Sequence, residues 1–109
     1  GDETALPAVA TVLEALPAGV PVLAFLEVAD AAEEQELPGA ARVQWVHRGT
    51  APAGEPLAKA VRAADLPAGS GQVWLSGESG CVRDLRKHLL DERGFDRKRV
   101  YATGYWRAR

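Results

Sequence analysis

The stretch that decides the fold is QVWLSGESG, residues 72–80, where an apolar run leads into a glycine-containing turn. Residues 72–76 are short, apolar and rich in β-forming side chains, which is typical of a strand. Residues 81–93 follow with apolar side chains at helical spacing, including Leu85 and Leu89. A strand, a tight turn and a helix in this order form the basic unit of an α/β fold.

The rest of the chain repeats this alternation. Further strands are predicted at residues 21–28, 42–47 and 99–104, further helices at 4–16 and 57–66, and a tail at 105–109. The first of these strands is apolar almost throughout, which indicates a strand covered on both faces. The pattern predicts an α/β protein with a Rossmann-like, doubly wound parallel sheet and helices on both faces.

No strand is predicted before the first helix, although a doubly wound domain should begin with one. We therefore expect the first strand to be missing and the chain to be part of a longer protein. The two strands beside the gap would then each have an unpaired edge. Another copy, a further segment or direct pairing of the two neighbours could cover it, so a dimer through this edge is possible.

Composition limits the classes of function. The chain has 109 residues, enough for one domain with a core, and a net charge of −2, which predicts no attraction to nucleic acid or anionic membranes. No apolar run is long enough to span a membrane. The single cysteine, Cys81, excludes an internal disulfide, suits the cytoplasm and is expected to be a buried packing residue. We assign no metal ligands. Many Ala, Arg and Gly residues are typical of a GC-rich, bacterial coding sequence.

Two strand-to-helix junctions, residues 1–8 and 75–80, are the candidate ligand loops. Both follow strand ends, and ligands of open α/β sheets bind at that edge, where helix N-termini offer free N–H groups. Side by side, the two loops would form a cleft for a dinucleotide. On their residues alone, short glycine-containing turns of this kind are usually only tight turns.

Two charged residues at the ends of predicted strands are further candidates. Glu27 lies roughly 23 residues beyond the first loop, where a carboxylate often accepts hydrogen bonds from a ribose. Arg48 could bind a 2′-phosphate or a pyrophosphate through two hydrogen bonds. The alternatives are a solvated glutamate and a surface arginine. Glu27 favours NADH and Arg48 favours NADPH, so the choice of cofactor stays open.

The first loop has an unusual composition for a phosphate loop. It holds one glycine and two carboxylates, Asp2 and Glu3, which would repel a phosphate unless they turn away. They could instead cap the following helix, for which Thr4 or Asp2 is a suitable N-cap. At the other end of the chain, Tyr105 and Trp106 could stack on a flat cofactor or pack on their own sheet.

Four segments resemble the siderophore-interacting proteins, which are flavin-dependent ferric-siderophore reductases of the ferredoxin-reductase superfamily. The segments are GDETALPA (residues 1–8), WVHR (45–48), residues 73–89 from VWLSGESG onward, and RVYATGYW (99–106). They occur in the family's order and cover nearly the whole chain.

The resemblance implies that residues 1–109 are a C-terminal NAD(P)H-binding domain of the ferredoxin-reductase type, with sheet order 3-2-1-4-5. An N-terminal β-barrel would bind FAD and leave the ferric siderophore accessible. The parent protein would pass hydride from NAD(P)H to FAD and then single electrons to Fe(III), releasing iron for iron acquisition. Because the cofactors carry the chemistry, this chain alone is expected to be inactive, with no catalytic residue of its own.

The resemblance also implies the cofactor-binding residues. They comprise a pyrophosphate loop, a nicotinamide loop and aromatics near the flavin: Gly1, Asp2, Glu3, Thr4 and Ala5; Gly77, Glu78 and Ser79; Tyr105 and Trp106. Two alternatives remain open. The chain could be a stand-alone α/β binding module, or its parent could be a flavin reductase with another acceptor.

Overall fold

The chain forms an α/β fold in which the strands pair in parallel. The structure is a computed structural model that describes residues 1–39, 41–66 and 71–108. In the first pair, β1 (Leu23–Val28) lies beside β2 (Arg42–His47). β2 has the predicted bounds, and β1 begins two residues later than predicted.

The second parallel pair joins β3 (Val73–Glu78) to β4 (Val100–Trp106). Tyr105 and Trp106 therefore belong to a strand, and the prediction that they form a tail was wrong. Pairing with β3 continues past a register shift, at which Glu78 comes to lie opposite Trp106. The remainder of the predicted tail follows β4, except that its last residue, 109, lies outside the described residues.

Two glycines, one in β3 and one in β4, allow neighbouring segments to pack closely against these strands. Gly77 has φ +147°, and a Cβ there would lie 2.7 Å from Oδ2 of Asp2. A Cβ on Gly104, the strand partner of Gly77, would overlap Oγ of Ser79. Any side chain at these positions would therefore push apart the segments that meet at this end of the sheet.

Among the described residues, the two pairs form separate two-stranded sheets, β1-β2 and β3-β4, as expected if the first strand is missing; they do not form a single doubly wound sheet. The described part of the chain shows no direct pairing between β1 and β3. The start of the chain lies between their ends: the nitrogen of Gly1 donates to the Phe25 carbonyl (2.9 Å), and Glu27 N–H donates to the Gly1 carbonyl (2.8 Å). On the other side, a Cβ on Gly1 would lie 2.8 Å from the Ser76 carbonyl oxygen. Residues 1 and 2 therefore form one isolated parallel bridge to β1, between Asp2 and Glu27.

The described residues form three α-helices: α1 (Leu6–Ala15) precedes β1, α2 (Glu55–Ala63) lies between β2 and β3, and α3 (Ser79–Asp91) lies between β3 and β4. Short 3₁₀ turns precede α1 (Glu3–Ala5), follow β1 (Ala31–Glu33) and precede β4 (Arg97–Arg99). The predicted helices overlap all three, with ends displaced by up to three residues, as is usual for boundaries. Among the described residues, no helix is long and apolar enough to cross a membrane.

Apolar packing covers both faces of β1. On one face Phe25 contacts the main core, which α2 and α3 build with β3 and β4; Leu85 and Leu89 of α3 are almost fully buried there. On the other face Leu26 and Val28 pack with Leu6 of α1. Alternate residues of a strand point to opposite faces, so β1 alone serves both clusters.

Candidate functional site

The carboxyl ends of the strands bring together three buried acidic side chains. The first is Asp2, which is 3% exposed. Its Oδ1 accepts hydrogen bonds from the backbone N–H (3.0 Å) and the hydroxyl of Thr4, so Asp2 caps the 3₁₀ turn before α1. Its Oδ2 accepts from Glu78 N–H (3.1 Å) and from the indole Nε1–H of Trp106 (2.8 Å). Asp2 thus ties the first loop to the ends of both β3 and β4.

The second acidic side chain is Glu27, at 0% exposure. Its Oε2 accepts from Gly54 N–H (2.9 Å) and its Oε1 from Leu57 N–H (3.1 Å), so a carboxylate of β1 caps the start of α2. Both oxygens are used inside the protein and neither faces solvent. In this structure Glu27 is neither a solvated strand-end residue nor a free acceptor for a ribose.

The third is Glu78, at 8% exposure, which caps α3 with its own side chain. It accepts from Gly80 N–H (2.9 Å) and Cys81 N–H (2.8 Å), with a longer bond from Ala108 N–H (3.3 Å). These N–H groups, Gly80 first, lower the pKa of Glu78, and the charge of Arg107 lowers it further. The carboxylate therefore stays ionised against the positive end of α3.

Asp2, Glu27 and Glu78 together decide what this edge can bind through its backbone. Helix N-termini commonly bind phosphate through free N–H groups. Here the N–H donors at the 3₁₀ turn and at α2 and α3 already bond these carboxylates. A dinucleotide pyrophosphate therefore does not fit against those donors while the carboxylates stay in place.

The cavity that the described residues form below the edge is too small for a ligand group. The cavity lined by Gly1, Gly54, Ser76 and Cys81 has a volume of about 10 Å³, close to the minimum for one water molecule. Cys81 is buried in the main core, which confirms the predicted packing role, and this burial raises the pKa of its thiol to about 11. A ligand at this edge must therefore lie on its outer surface.

Arg48 is a cation that the fold brings to this edge. Its guanidinium donates two hydrogen bonds to Glu3, both 3.0 Å long, and a third to Glu27 at 3.3 Å. The bond with Glu3 is the largest cause that raises the pKa of Arg48, partial burial opposes it, and Glu27 adds to it. A guanidinium held in this fork geometry has the shape that also fits a phosphate.

Of the remaining predicted residues, some support the fold and two supply aromatic rings. Gly1 and the fully buried Ala5 contribute backbone and packing, and the Ser79 hydroxyl donates to the Trp106 carbonyl (2.9 Å). Tyr105 is 44% exposed, so the residue has a free surface, whereas Trp106 is half-buried and its indole N–H is bonded to Asp2.

The sequence reasoning missed the backbone partners of the buried acids. Gly54 has φ +87° and precedes Glu55 and Pro56, and a glycine followed by proline in the first turn is a recognisable helix start. The capping carboxylate, however, comes from Glu27, 27 residues earlier in the chain. No local pattern indicates that contact.

The family model described as "Siderophore-interacting protein" matches residues 1–109. The chain belongs to the siderophore-interacting protein family. A siderophore utilization protein from T. fusca has a similar structure, with a TM-score of 0.84 and 45% sequence identity over 97% of this chain and 42% of that one. This agreement supports the fold as well as the family.

Two curated relatives extend the comparison. An uncharacterized protein of Mycobacterium tuberculosis is 40% identical over 98% of the chain, and the ferric vibriobactin reductase ViuB of Vibrio cholerae is 31% identical, also over 98%. The chain spans 42% and 41% of their lengths, respectively. The chain therefore matches less than half of the length of each of these two relatives.

Proposed function

We propose that this chain is the nicotinamide-dinucleotide-binding domain of a flavin-dependent ferric-siderophore reductase. The observation that carries the proposal is the similarity, along 98% of the chain, to a relative named as a ferric vibriobactin reductase. When bound, NAD(P)H would supply hydride to an FAD held outside residues 1–109, and the electrons would reduce Fe(III)-siderophore so that the iron is released. We place this activity in the cytoplasm.

The role of this domain is positioning. Asp2, Glu27 and Glu78 hold the first loop, α2 and α3 in fixed relation, which sets the shape of the edge. The proposed contact surface is formed by the side chains that remain accessible there, Glu3, Thr4, Arg48, Tyr105 and the half-buried Trp106. This revises the expectation that backbone N–H groups of the first loop hold the pyrophosphate.

Phosphate recognition is then assigned to a side chain. Arg48 lies at the edge and presents a fork of N–H donors, and the charge of Arg107 acts on Glu78 nearby. The exposed ring of Tyr105 offers a flat surface for the nicotinamide or the flavin. The nicotinamide loop of Gly77, Glu78 and Ser79 would border the same ligand from the side of α3.

The fold proposal follows from the gap between the two sheets. We propose that a strand leading into Gly1 pairs with both β1 and β3 and joins the two sheets into one Rossmann-like, doubly wound sheet. The bonds of Gly1 to Phe25 and Glu27 have the parallel pattern that such a strand would continue. Residues 1–109 would then be the C-terminal domain of a two-domain protein with an FAD-binding barrel.

Anaerobic titration of the full-length gene product with NADH, and separately with NADPH, tests the function. Loss of the oxidised flavin absorbance on addition of either cofactor is expected, followed by Fe(II) release from a ferric catecholate or hydroxamate siderophore, measured with an Fe(II) chelator. A protein that holds flavin but is reduced by neither cofactor would contradict the nicotinamide role. Flavin reduction without iron release would instead indicate another acceptor.

A further inference from the structure

The contact between Glu3 and Arg48 has the geometry of a ligand contact. Each oxygen of the Glu3 carboxylate accepts one hydrogen bond, at 3.0 Å, from a different terminal nitrogen of the guanidinium. The two residues are 45 positions apart in sequence, so the fold rather than local structure creates the pair. A phosphate with two free oxygens would use the same fork.

The two carboxylates that contact Arg48 differ in how easily they can leave it. The Glu27 side chain has 0% exposure and also bonds two backbone N–H groups, so displacement would leave buried donors unsatisfied. The Glu3 side chain is 35% exposed and can turn into water without such a loss. Glu27 therefore holds the guanidinium in place, and Glu3 occupies its accessible side.

Because the helix starts are capped, phosphate recognition at this edge is left to side chains. Since Asp2, Glu27 and Glu78 bond N–H donors at the helix starts, a phosphate at this edge needs side-chain donors, and the guanidinium of Arg48 presents a fork of them. We propose that Glu3 determines the selectivity of the edge for phosphate-bearing ligands, because its carboxylate occupies the Arg48 fork that a ligand phosphate must take over. The proposal rests on the assignment of this edge as a nucleotide site.

Two properties follow from this competition. A single phosphate or pyrophosphate group binds more weakly than Arg48 would allow by itself, because Glu3 must leave first and then lies close to the incoming negative charge. A ligand that brings further contacts, such as a base or a flat ring against Tyr105, overcomes this loss. The edge thus discriminates against free phosphate compounds in favour of a complete nucleotide.

Calorimetric titration of the full-length gene product with inorganic pyrophosphate tests the proposal. The Glu3→Gln variant keeps the size of the side chain and removes its charge, and Glu14→Gln removes one charge from an exposed position of α1. We expect Glu3→Gln to lower the Kd for pyrophosphate by about threefold to tenfold, and Glu14→Gln to change it by less than about 1.5-fold. The gain should disappear in the double variant Glu3→Gln/Arg48→Lys, because lysine keeps the charge without the fork.

Each other outcome has a defined meaning. Equal effects of Glu3→Gln and Glu14→Gln, a gain that persists with Arg48→Lys, or no pyrophosphate binding by any variant would overturn the proposal. Thermal unfolding of every variant confirms that it is folded. The same variants are tested for flavin reduction by NADH and NADPH. Tighter pyrophosphate binding without flavin reduction supports the role of Glu3 and rejects the nicotinamide assignment; flavin reduction with unchanged pyrophosphate affinity does the reverse.

Discussion

Acidic side chains hold the starts of the helical segments, whereas a basic side chain holds the end of α2. At the carboxyl edge of the strands, Asp2, Glu27 and Glu78 accept hydrogen bonds from the N–H groups at the starts of helical segments. At the opposite end, Arg93 donates to the last carbonyls of α2, with bonds of 2.9 Å to Arg62 and 2.8 Å to Ala64.

At the end of α2, Arg93 is itself held by hydrogen bonds among side chains. Nε–H of Arg93 donates to Nε2 of His88 (3.1 Å), and Nδ1 of His88 contacts the Glu92 carboxylate. His88 is buried, so its ring fixes the direction of the guanidinium. Both arrangements follow the helix macrodipole, which favours anions at N-termini and cations at C-termini.

The difference between the ends has a functional consequence. Because acids bond N–H groups at the helix starts, these donors are not available to anions at the carboxyl edge, and the proposed function assigns phosphate recognition to a side chain. The arginine at the other end fills carbonyl sites that no anionic ligand would use. Stabilising the fold therefore restricts ligand chemistry at one end and leaves it unaffected at the other.

Removing the acid at the start of α2 should have the largest effect. In Glu27→Ala, the N–H groups of Gly54 and Leu57 lose their acceptor and Arg48 loses its buried partner, so we expect a loss of about 3–5 kcal/mol in the free energy of unfolding. Urea denaturation measures it. Glu14→Ala, at an exposed position, should stay within about 0.5 kcal/mol of the unmodified protein. A loss below 1 kcal/mol for Glu27→Ala would show that the cap is dispensable.

Removing the cation at the end of α2 should cost less, because those carbonyls lie nearer to solvent. We expect Arg93→Ala to lower the free energy of unfolding by about 2 kcal/mol, the loss typical of hydrogen bonds from a charged group. Arg83→Ala, an exposed arginine on α3, is the matched control. If the two variants unfold at the same urea concentration, the C-terminal cap contributes nothing measurable.

Asp2→Asn sharpens the comparison within the carboxyl edge. An amide NH₂ in place of Oδ2 would face the N–H donors of Glu78 and Trp106, so we expect a loss of about 1–2 kcal/mol. Asp84→Asn, exposed on α3, serves as the control. In a double-mutant cycle with Trp106→Phe, the two changes should be less than additive. Simple additivity would mean that Asp2 does not act through Trp106.

The cap of α3 predicts a pH dependence. The pKa of Glu78 is lowered below its usual 4.5, so its contribution is complete above that value and is lost as the pH falls through the lowered pKa. Glu78→Gln should cost about 0.5–1.5 kcal/mol at pH 7 and progressively less below pH 4.5. Urea midpoints between pH 3 and 7 measure this difference. A constant difference across that range would contradict the ionised cap, and Glu14→Gln should show no such convergence.

Much of the fold could be predicted from local pattern. β2 has its predicted bounds, α1 and α3 fall within two or three residues of theirs, and Gly94 follows α3 as the expected end with φ +72°. One prediction was wrong: Tyr105 and Trp106 continue β4 and do not form a tail. Whether a segment joins a strand depends on what lies beside it in space rather than in sequence.

The candidate edge was predictable, but its chemistry was not. The sequence by itself determined the alternation of strands and helices and brought the first loop, Glu27, Arg48 and Glu78 to the same edge, because the carboxyl ends of parallel strands meet there. Only the tertiary structure decided which acids are buried and which stay exposed. That choice depends on donors supplied from distant segments, such as Gly54 for Glu27 and Trp106 for Asp2. A carboxylate that finds such partners becomes part of the fold, and Glu3, which finds only Arg48 among the described residues, remains available to a ligand.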